Sequence, residues 1–414
     1  MNRPKMKILF VTYEYGKYIR GGIARVINGV SEQLRHKVDL DVLLNHDGNF
    51  MAFDLNMFRI KWHHSFYHMG YQLFQLRNEK LRRGHFRDLT AALAKLINRE
   101  KYDIVHLFHN GEQAESVIKI IRRQFPWIKI VYSCHSIAKY DIAFRNQTND
   151  QLEFENYIIN QADHLHLLNR TSLKYLKESY PQTNRPVSYS IIPNGIEMVN
   201  LQAKPAHVRR EIEPLLRDGG RIRVLCVSRW CYGKGLEYLL DAVPQVVASL
   251  PEARFILAGR KTLSWENGHY GYANLINKKI QSLREYVVDP GWLNDSERRA
   301  IFAHADIWVM PSLLEYFPYS ILEPMAARIP IISARIDSVQ EMLAEDKECL
   351  FYEPKDPAGL ARQIVKLAKN AKLRGELARN AYQKAEGLYQ WGPISEMYFK
   401  MYQDLIEGAP LPVF

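Results

Sequence analysis

Residues Ala305 to Ser333, A-D-I-W-V-M-P-S-L-L-E-Y-F-P-Y-S-I-L-E-P-M-A-A-R-I-P-I-I-S, constrain the fold of this chain more than any other stretch. An apolar run from Ile307 to Met310 stops at Pro311 and Ser312, which reads as a buried strand ending in a turn. A second apolar run, Ile329 to Ser333, closes the stretch. Between them Ser320, with Glu323 three residues on, matches a capping box, so a short helix is expected to start there. Strand, loop, helix and strand make a βαβ unit, and open parallel sheets take ligands at the carboxyl ends of their strands. Glu315 on the loop and Glu323 at the helix start flank that point. A surface glutamate plus an ordinary cap is the competing reading of the pair alone.

The rest of the chain repeats the pattern. Lys7 to Tyr13 is a buried-strand run, and a loop ending in Gly21-Gly22 leads to a helix with Val26, Ile27, Val30 and Leu34 on one face. Paired glycines at such a turn let backbone amides approach a ligand at a helix N-terminus, although a plain tight turn also accounts for them. Val38 to Leu44 is the next strand; its Asp39-Leu40-Asp41 string alternates with apolar residues and precedes no ligand loop, which argues against a metal site. Asp103 to Phe108 and Lys129 to Ser133 are strands around a helix near Gln113 to Gln124, and Cys134-His135-Ser136 follows the second. His135 therefore stands at a strand's carboxyl end, where ligands bind. His106, His109, His164 and His166 show no third ligand for a metal and read as packing.

Ser190 to Ile196 ends this series at the turn Pro193-Asn194-Gly195, and the polar, basic stretch Leu201 to Gly220 reads as a linker. The pattern restarts with a strand at Ile222 to Val227, the loop S-R-W-C-Y-G-K-G, a helix from Leu236 to Leu250, and strands at Phe255 to Ala258 and Val287 to Leu293. The expected architecture is α/β: two Rossmann-like doubly wound domains, 1–200 and 201–385, facing across a cleft. In 386–414, Ile394, Met397, Tyr398, Met401, Tyr402 and Leu405 form one apolar helix face, expected to return to the first domain.

A length of 414 residues suits two domains of about 200 residues. No apolar run is long enough to span a membrane, and the basic start reads as a first strand rather than a signal peptide. Four irregularly spaced cysteines fit reduced thiols in a cytoplasmic protein. The net charge of +11 implies an acidic partner. Nucleic acid has no recognition motif here. The segment Phe50 to Arg87 is rich in aromatics (Phe58, Trp62, Phe66) and bases (Arg77, Lys80, Arg87). It suits peripheral contact with an anionic membrane, a wall of a substrate site, or a covering helix with a solvated face.

Gly21-Gly22, Pro193-Asn194-Gly195, Ser228-Arg229 with Lys234-Gly235, and Glu315 to Glu323 as an E-x7-E motif occur in an order that covers nearly the whole chain. Together they resemble the retaining GT-B glycosyltransferases, the branch of glycogen synthases, sucrose synthases and bacterial mannosyl- and glucosyltransferases. The resemblance implies transfer of a hexose-type sugar from a nucleotide sugar, with UDP expected, to a saccharide, glycolipid or small-molecule acceptor, with retention of anomeric configuration. It implies no cofactor and no metal, because Arg229 and Lys234 would stabilise the leaving diphosphate. Glu323 would accept from the ribose hydroxyls, and Glu315 would bind sugar hydroxyls with His135. Backbone amides near Phe317, Pro318, Tyr319 and Ser320 would hold the distal phosphate, and Gly21-Gly22 would line the donor. No side-chain nucleophile is implied. Four residues depart from the pattern: Tyr316 and Pro318 where glycine is usual, Pro324 for alanine, and Arg328 for a frequent glycine. A nucleotide-sugar epimerase and a non-catalytic binding subunit on the same fold are the alternatives.

Overall fold

The computed structural model describes residues 5–12, 21–46, 49–54, 59–63, 93–109, 111–145, 150–183, 186–198, 208–210, 212–216, 221–261, 265–266 and 269–413. The chain divides into two compact units. One holds Met1–Tyr140, Thr148–Gly195 and Trp391–Phe414; the other holds Asp141–Gln147 and Ile196–Gln390.

In the first unit the short apolar runs become strands, and the central ones, such as Ile104–Leu107 and His164–Leu167, are buried along their whole length, as parallel strands flanked by helices must be. The strands are β1 (Lys7–Thr12), β2 (Asp39–His46), β3 (Asn49–Asp54), β4 (Arg59–His63), β5 (Ile104–Leu107), β6 (Lys129–Cys134), β7 (His164–Leu167) and β8 (Ser188–Ile191). The sheet runs β4-β3-β2-β1-β5-β6-β7-β8. From β2 through β8 its neighbours are parallel, whereas β3 and β4 add an antiparallel edge. That edge corrects the reading of a covering helix across this part of the chain. Its aromatic residues serve strands here, and β-propensity favours them there. The remainder of the basic aromatic segment, 55–58 and 64–87, lies outside the described residues.

The strand order reverses between β1 and β5, so the first unit's switch point lies there. Gly21 caps the helix Gly22–Leu34 in extended geometry, and both glycines are exposed. Asp41 sits inside β2 and accepts the Tyr102 hydroxyl, a packing role for half of the D-x-D string.

The terminal helix Trp391–Glu407 packs on the helix Gly22–Leu34 within this unit. Trp391 lies against two glycines: a Cβ on Gly29 or Gly195 would come within 2.2 or 2.3 Å of its indole ring. The glycine of Pro193-Asn194-Gly195 is thus required by packing. Ile394, Tyr398, Met401, Tyr402 and Leu405 are buried as the apolar periodicity predicts, but Met397 is 42% exposed and leaves that face.

The second unit contains β9 (Arg223–Val227), β10 (Arg254–Ala258), a two-stranded ribbon of β11 (Trp265–Glu266) and β12 (His269–Tyr270), β13 (Val287–Gly291), β14 (Ile307–Met310), β15 (Ile331–Ala334) and β16 (Cys349–Tyr352). Its main sheet is parallel throughout in the order β13-β10-β9-β14-β15-β16. The order reverses between β9 and β14, which places the loops after those two strands side by side. Arg209, in the stretch read as linker, is anchored here: its Nε donates to Glu297 at 2.5 Å. All four cysteines are buried and unpaired with one another. Among the described residues no helix is long and apolar enough to cross a membrane.

Candidate active site

Two loops meet at the switch point of the second unit. The first, Ser228 to Gly235, leaves β9 and enters the helix Leu236–Ser249; the second, from Pro311, leaves β14. Gly235 caps that helix at φ +64, a conformation L side chains rarely take, and a Cβ there would lie 2.0 Å from the Pro311 carbonyl oxygen. Next to it, the Leu313 N–H donates to the Gly233 carbonyl at 2.8 Å. The glycine lets the loops approach, and the hydrogen bond holds them together.

Their contact delivers the chemistry. Lys234 Nζ donates to Glu315 Oε1 at 2.5 Å, and both side chains are largely buried, 13% and 8% exposed. Arg229, one turn earlier on the first loop, is exposed and makes no ion pair among the described residues. The site therefore offers one cation already committed to a carboxylate and one facing water.

The helix after the second loop runs Tyr319–Ala326, with Pro318 at its N-cap at φ −77. This corrects the capping-box reading. Ser320 is the second helical residue, and no side chain caps the end. Glu323 instead accepts from Arg298 Nη1 at 2.8 Å. Proline suits the position because a helix start has spare N–H groups and proline's φ is fixed near the value required. Pro324 lies inside the helix and leaves the Ser320 carbonyl without its usual amide donor. The helix ends two residues later. The amides of Tyr319 and Ser320 occupy its first turn, while those of Ile321 and Leu322 return to Pro318 O at 3.0 and 3.3 Å.

The other departures from the motif have packing causes. The Tyr316 hydroxyl donates to Asp141 at 3.0 Å, a buried residue of the same unit. Phe317 packs edge-on against Tyr389 with ring centroids 5.4 Å apart. Arg328 sits at φ +55, which explains why glycine is frequent there. Its guanidinium lies 3.9 Å from the centroid of the Tyr382 ring, a cation–π contact that offsets part of the strain.

A model of "glycosyl transferases group 1" matches residues 221–370, and a model of "glycosyltransferase family 4" matches residues 20–199. Over these two stretches the chain is similar to the group 1 and family 4 glycosyltransferases. An uncharacterized glycosyltransferase of Methanocaldococcus jannaschii is 23% identical over 97% of this chain and 99% of its own length. Further curated relatives are longer, and the chain spans 63% or less of the next ones. Among solved structures, sucrose-phosphate synthase from Thermosynechococcus elongatus matches with a TM-score of 0.74 at 18% identity, covering 98% of this chain and all of that one. Anabaena HepE in complex with UDP matches at 0.69 and 17% identity over 96% of this chain and 100% of its own. These likenesses show the fold, two Rossmann-like units.

The second unit brings together Lys234, Glu315, Phe317 and Pro318 on two adjoining loops and Tyr319, Ser320 and Glu323 on the short helix that follows, with Arg229 at the start of the first loop. Gly21, Gly22 and His135 belong to the first unit. Glu315 and Glu323 answer to different cations, Lys234 and Arg298. Arg298 was not singled out from sequence. The signal available was the N-x-x-E string Asn294 to Glu297, which forms a full capping box and starts the helix that carries Arg298.

His135 follows β6 beside a buried histidine network. Burial, helped by His166, holds its pKa down to about 3, so the ring is neutral at pH 7. In the network His166 Nε2 can only donate to the Ile192 carbonyl, at 2.8 Å. In the neutral ring Nδ1 must then accept from Ser133 Oγ, at 2.6 Å. Ser133 in turn accepts from His106 Nε2 at 2.7 Å, and His106 Nδ1 accepts the Tyr402 hydroxyl at 2.7 Å. The chain of bonds fixes every tautomer in it and supports the packing reading of these histidines.

Proposed function

We propose that this glycosyltransferase moves a hexose-type sugar from a nucleotide sugar, in the first place a UDP-sugar, to an acceptor hydroxyl, retaining the anomeric configuration and using no metal. The observation that carries the reading is the buried Lys234–Glu315 pair beside an exposed Arg229 at the sheet's switch point. UDP is supported by HepE, whose structure was determined with that nucleotide.

The acceptor oxygen bonds to the anomeric carbon while the bond from that carbon to the diphosphate oxygen breaks. The nucleoside diphosphate leaves with the electron pair, and its oxygen takes the acceptor proton on the same face of the sugar. Arg229 and Lys234 stabilise the charge that develops on it, the function a metal would otherwise serve. Glu315 holds sugar hydroxyls, Glu323 holds the ribose, and the amides of Tyr319 and Ser320 hold the distal phosphate. Pro318 supplies no N–H. Gly21-Gly22 and neutral His135 are assigned the donor-lining and sugar-binding roles that the family resemblance implies. The acceptor is a saccharide, a glycolipid or a small molecule. Peripheral contact with an anionic membrane is attached to the basic aromatic segment.

Proton NMR of the new glycosidic linkage, from its anomeric coupling, reads the stereochemistry. An α-linked UDP-hexose is expected to give an α-linked product at the same rate with and without EDTA. A β-linked product contradicts retention, and a rate abolished by EDTA and restored by a divalent cation contradicts the two-cation mechanism.

A further inference from the structure

Glu323 is 8% exposed, so its carboxylate has little water around it and its orientation depends on protein groups. Arg298 supplies one. Its Nη1 donates to Glu323 Oε1 at 2.8 Å, and its Nη2 donates to Asp295 at 3.0 Å, a residue three positions earlier on the same helix. A guanidinium held at two ends keeps its plane.

The helix beneath it is itself braced. Asn294 accepts from the Glu297 N–H at 2.9 Å, and Glu297 accepts from the Asn294 N–H at 3.0 Å. Glu297, buried at 1% exposure, also takes the Arg209 guanidinium, and Arg209 Nη2 reaches the Trp292 carbonyl at 2.9 Å. Arg298 thus stands on a helix whose start is tied through Arg209 to the Trp292 carbonyl just before it. Its grip on Glu323 fixes the carboxylate plane, and a fixed carboxylate accepts two hydroxyl hydrogens at once.

We infer that Arg298 is a positioning residue: it sets the Glu323 carboxylate for both ribose hydroxyls and so makes the site selective for ribonucleotides over 2′-deoxyribonucleotides. This rests on the reading that Glu323 binds the ribose of the donor. Arg298 acts through Glu323 and need not touch the nucleotide.

The test is calorimetric titration of the full chain with UDP and with 2′-deoxy-UDP, for the wild type, Arg298→Met and Arg298→Lys. The wild type is expected to bind UDP at least about tenfold tighter than its deoxy analogue, the loss of one hydrogen bond to a charged group. In Arg298→Met, UDP weakens by about tenfold and the ratio between the two nucleotides falls to within about twofold. Arg298→Lys, which keeps a charge and a donor but not the fork, lies between and guards against a variant that fails to fold. With a UDP-sugar substrate the donor KM rises while kcat changes by less than about threefold, a split that general loss of structure does not produce. Wild-type selectivity retained in both variants overturns the inference and leaves the donor reading standing. A wild type that binds neither nucleotide, or binds both equally, overturns the reading of Glu323 and the inference with it.

Discussion

Lys234→Met is expected to lower turnover by about 10²–10³-fold, the scale of removing one preorganised group that meets developing charge. The same change strips a buried carboxylate of its cation. Breaking a buried pair from one side destabilises by roughly 3–5 kcal/mol, because a largely buried carboxylate loses the cation that compensates its charge. The two effects separate in the double variant. Lys234→Met with Glu315→Gln removes both charges, so much of the lost stability returns while turnover stays low. Glu315→Gln alone has the converse defect, an unpaired lysine, and loses turnover through the sugar hydroxyls. Denaturant unfolding and steady-state rates on the three proteins read both quantities. Turnover recovering in the double variant would mean that the pair is structural, and the mechanism built on it would be wrong.

Acidification from pH 7 to pH 5 is expected to destabilise the first unit by roughly 2 kcal/mol for each buried histidine. His166 is held down to about 4 and His164 to about 3, both chiefly by burial; the Asp404 charge opposes the shift at His164. His106 lies well below the ordinary value because of burial and its histidine neighbours. The sign follows from these depressed values. Below about 6.5 the unfolded chain takes up protons that the folded chain refuses, so stability is fully present above that pH and is lost as pH falls toward 4. Carboxylates do not confuse this window. Glu100, held down to about 2 by its hydrogen bond from Lys7, loses its contribution only below about 4.5. Two kcal/mol corresponds to roughly 4–8 °C in a unit of this size. Scanning calorimetry across pH 5–7 measures it, and His166→Gln, whose amide can still donate to the Ile192 carbonyl, should flatten the slope. A melting temperature that does not move over this range would mean that the histidines titrate in the folded state.

Much of the architecture was legible because it rests on local pattern. Ile307 to Met310 and Lys129 to Ser133 are short, apolar and stopped by turn residues, and they became covered parallel strands. Lys234-Gly235 stands out by motif order, and the structure adds a cause for the glycine: a backbone approach that only glycine permits at Pro311. What was misread involves partners remote in sequence. Ser320 and Glu323 have capping-box spacing, but Arg298, 25 residues away, takes the carboxylate and Pro318 starts the helix. Met397 has helical spacing with Ile394 and Met401, yet Tyr398 and Tyr402 centre the buried face. The Phe50 to Arg87 segment, with its aromatics and bases, reads as a membrane-contacting segment, a wall of a substrate site or a covering helix, whereas Asn49–Asp54 and Arg59–His63 are strands. Pairing of the first with β2 and of the second with the first, which periodicity cannot anticipate, makes strands of both.

The most direct test of the donor site is a thermal-shift series with UDP, GDP, ADP, dTDP and CMP, each with and without EDTA. A nucleotide at about 100 times its dissociation constant stabilises by roughly 2.7 kcal/mol, a rise of about 5–11 °C here. The predicted result is a selective shift with UDP that EDTA leaves unchanged and Lys234→Met diminishes. A protein that shifts with none of the five contradicts a nucleotide-sugar site and points to a binding subunit on the glycosyltransferase fold.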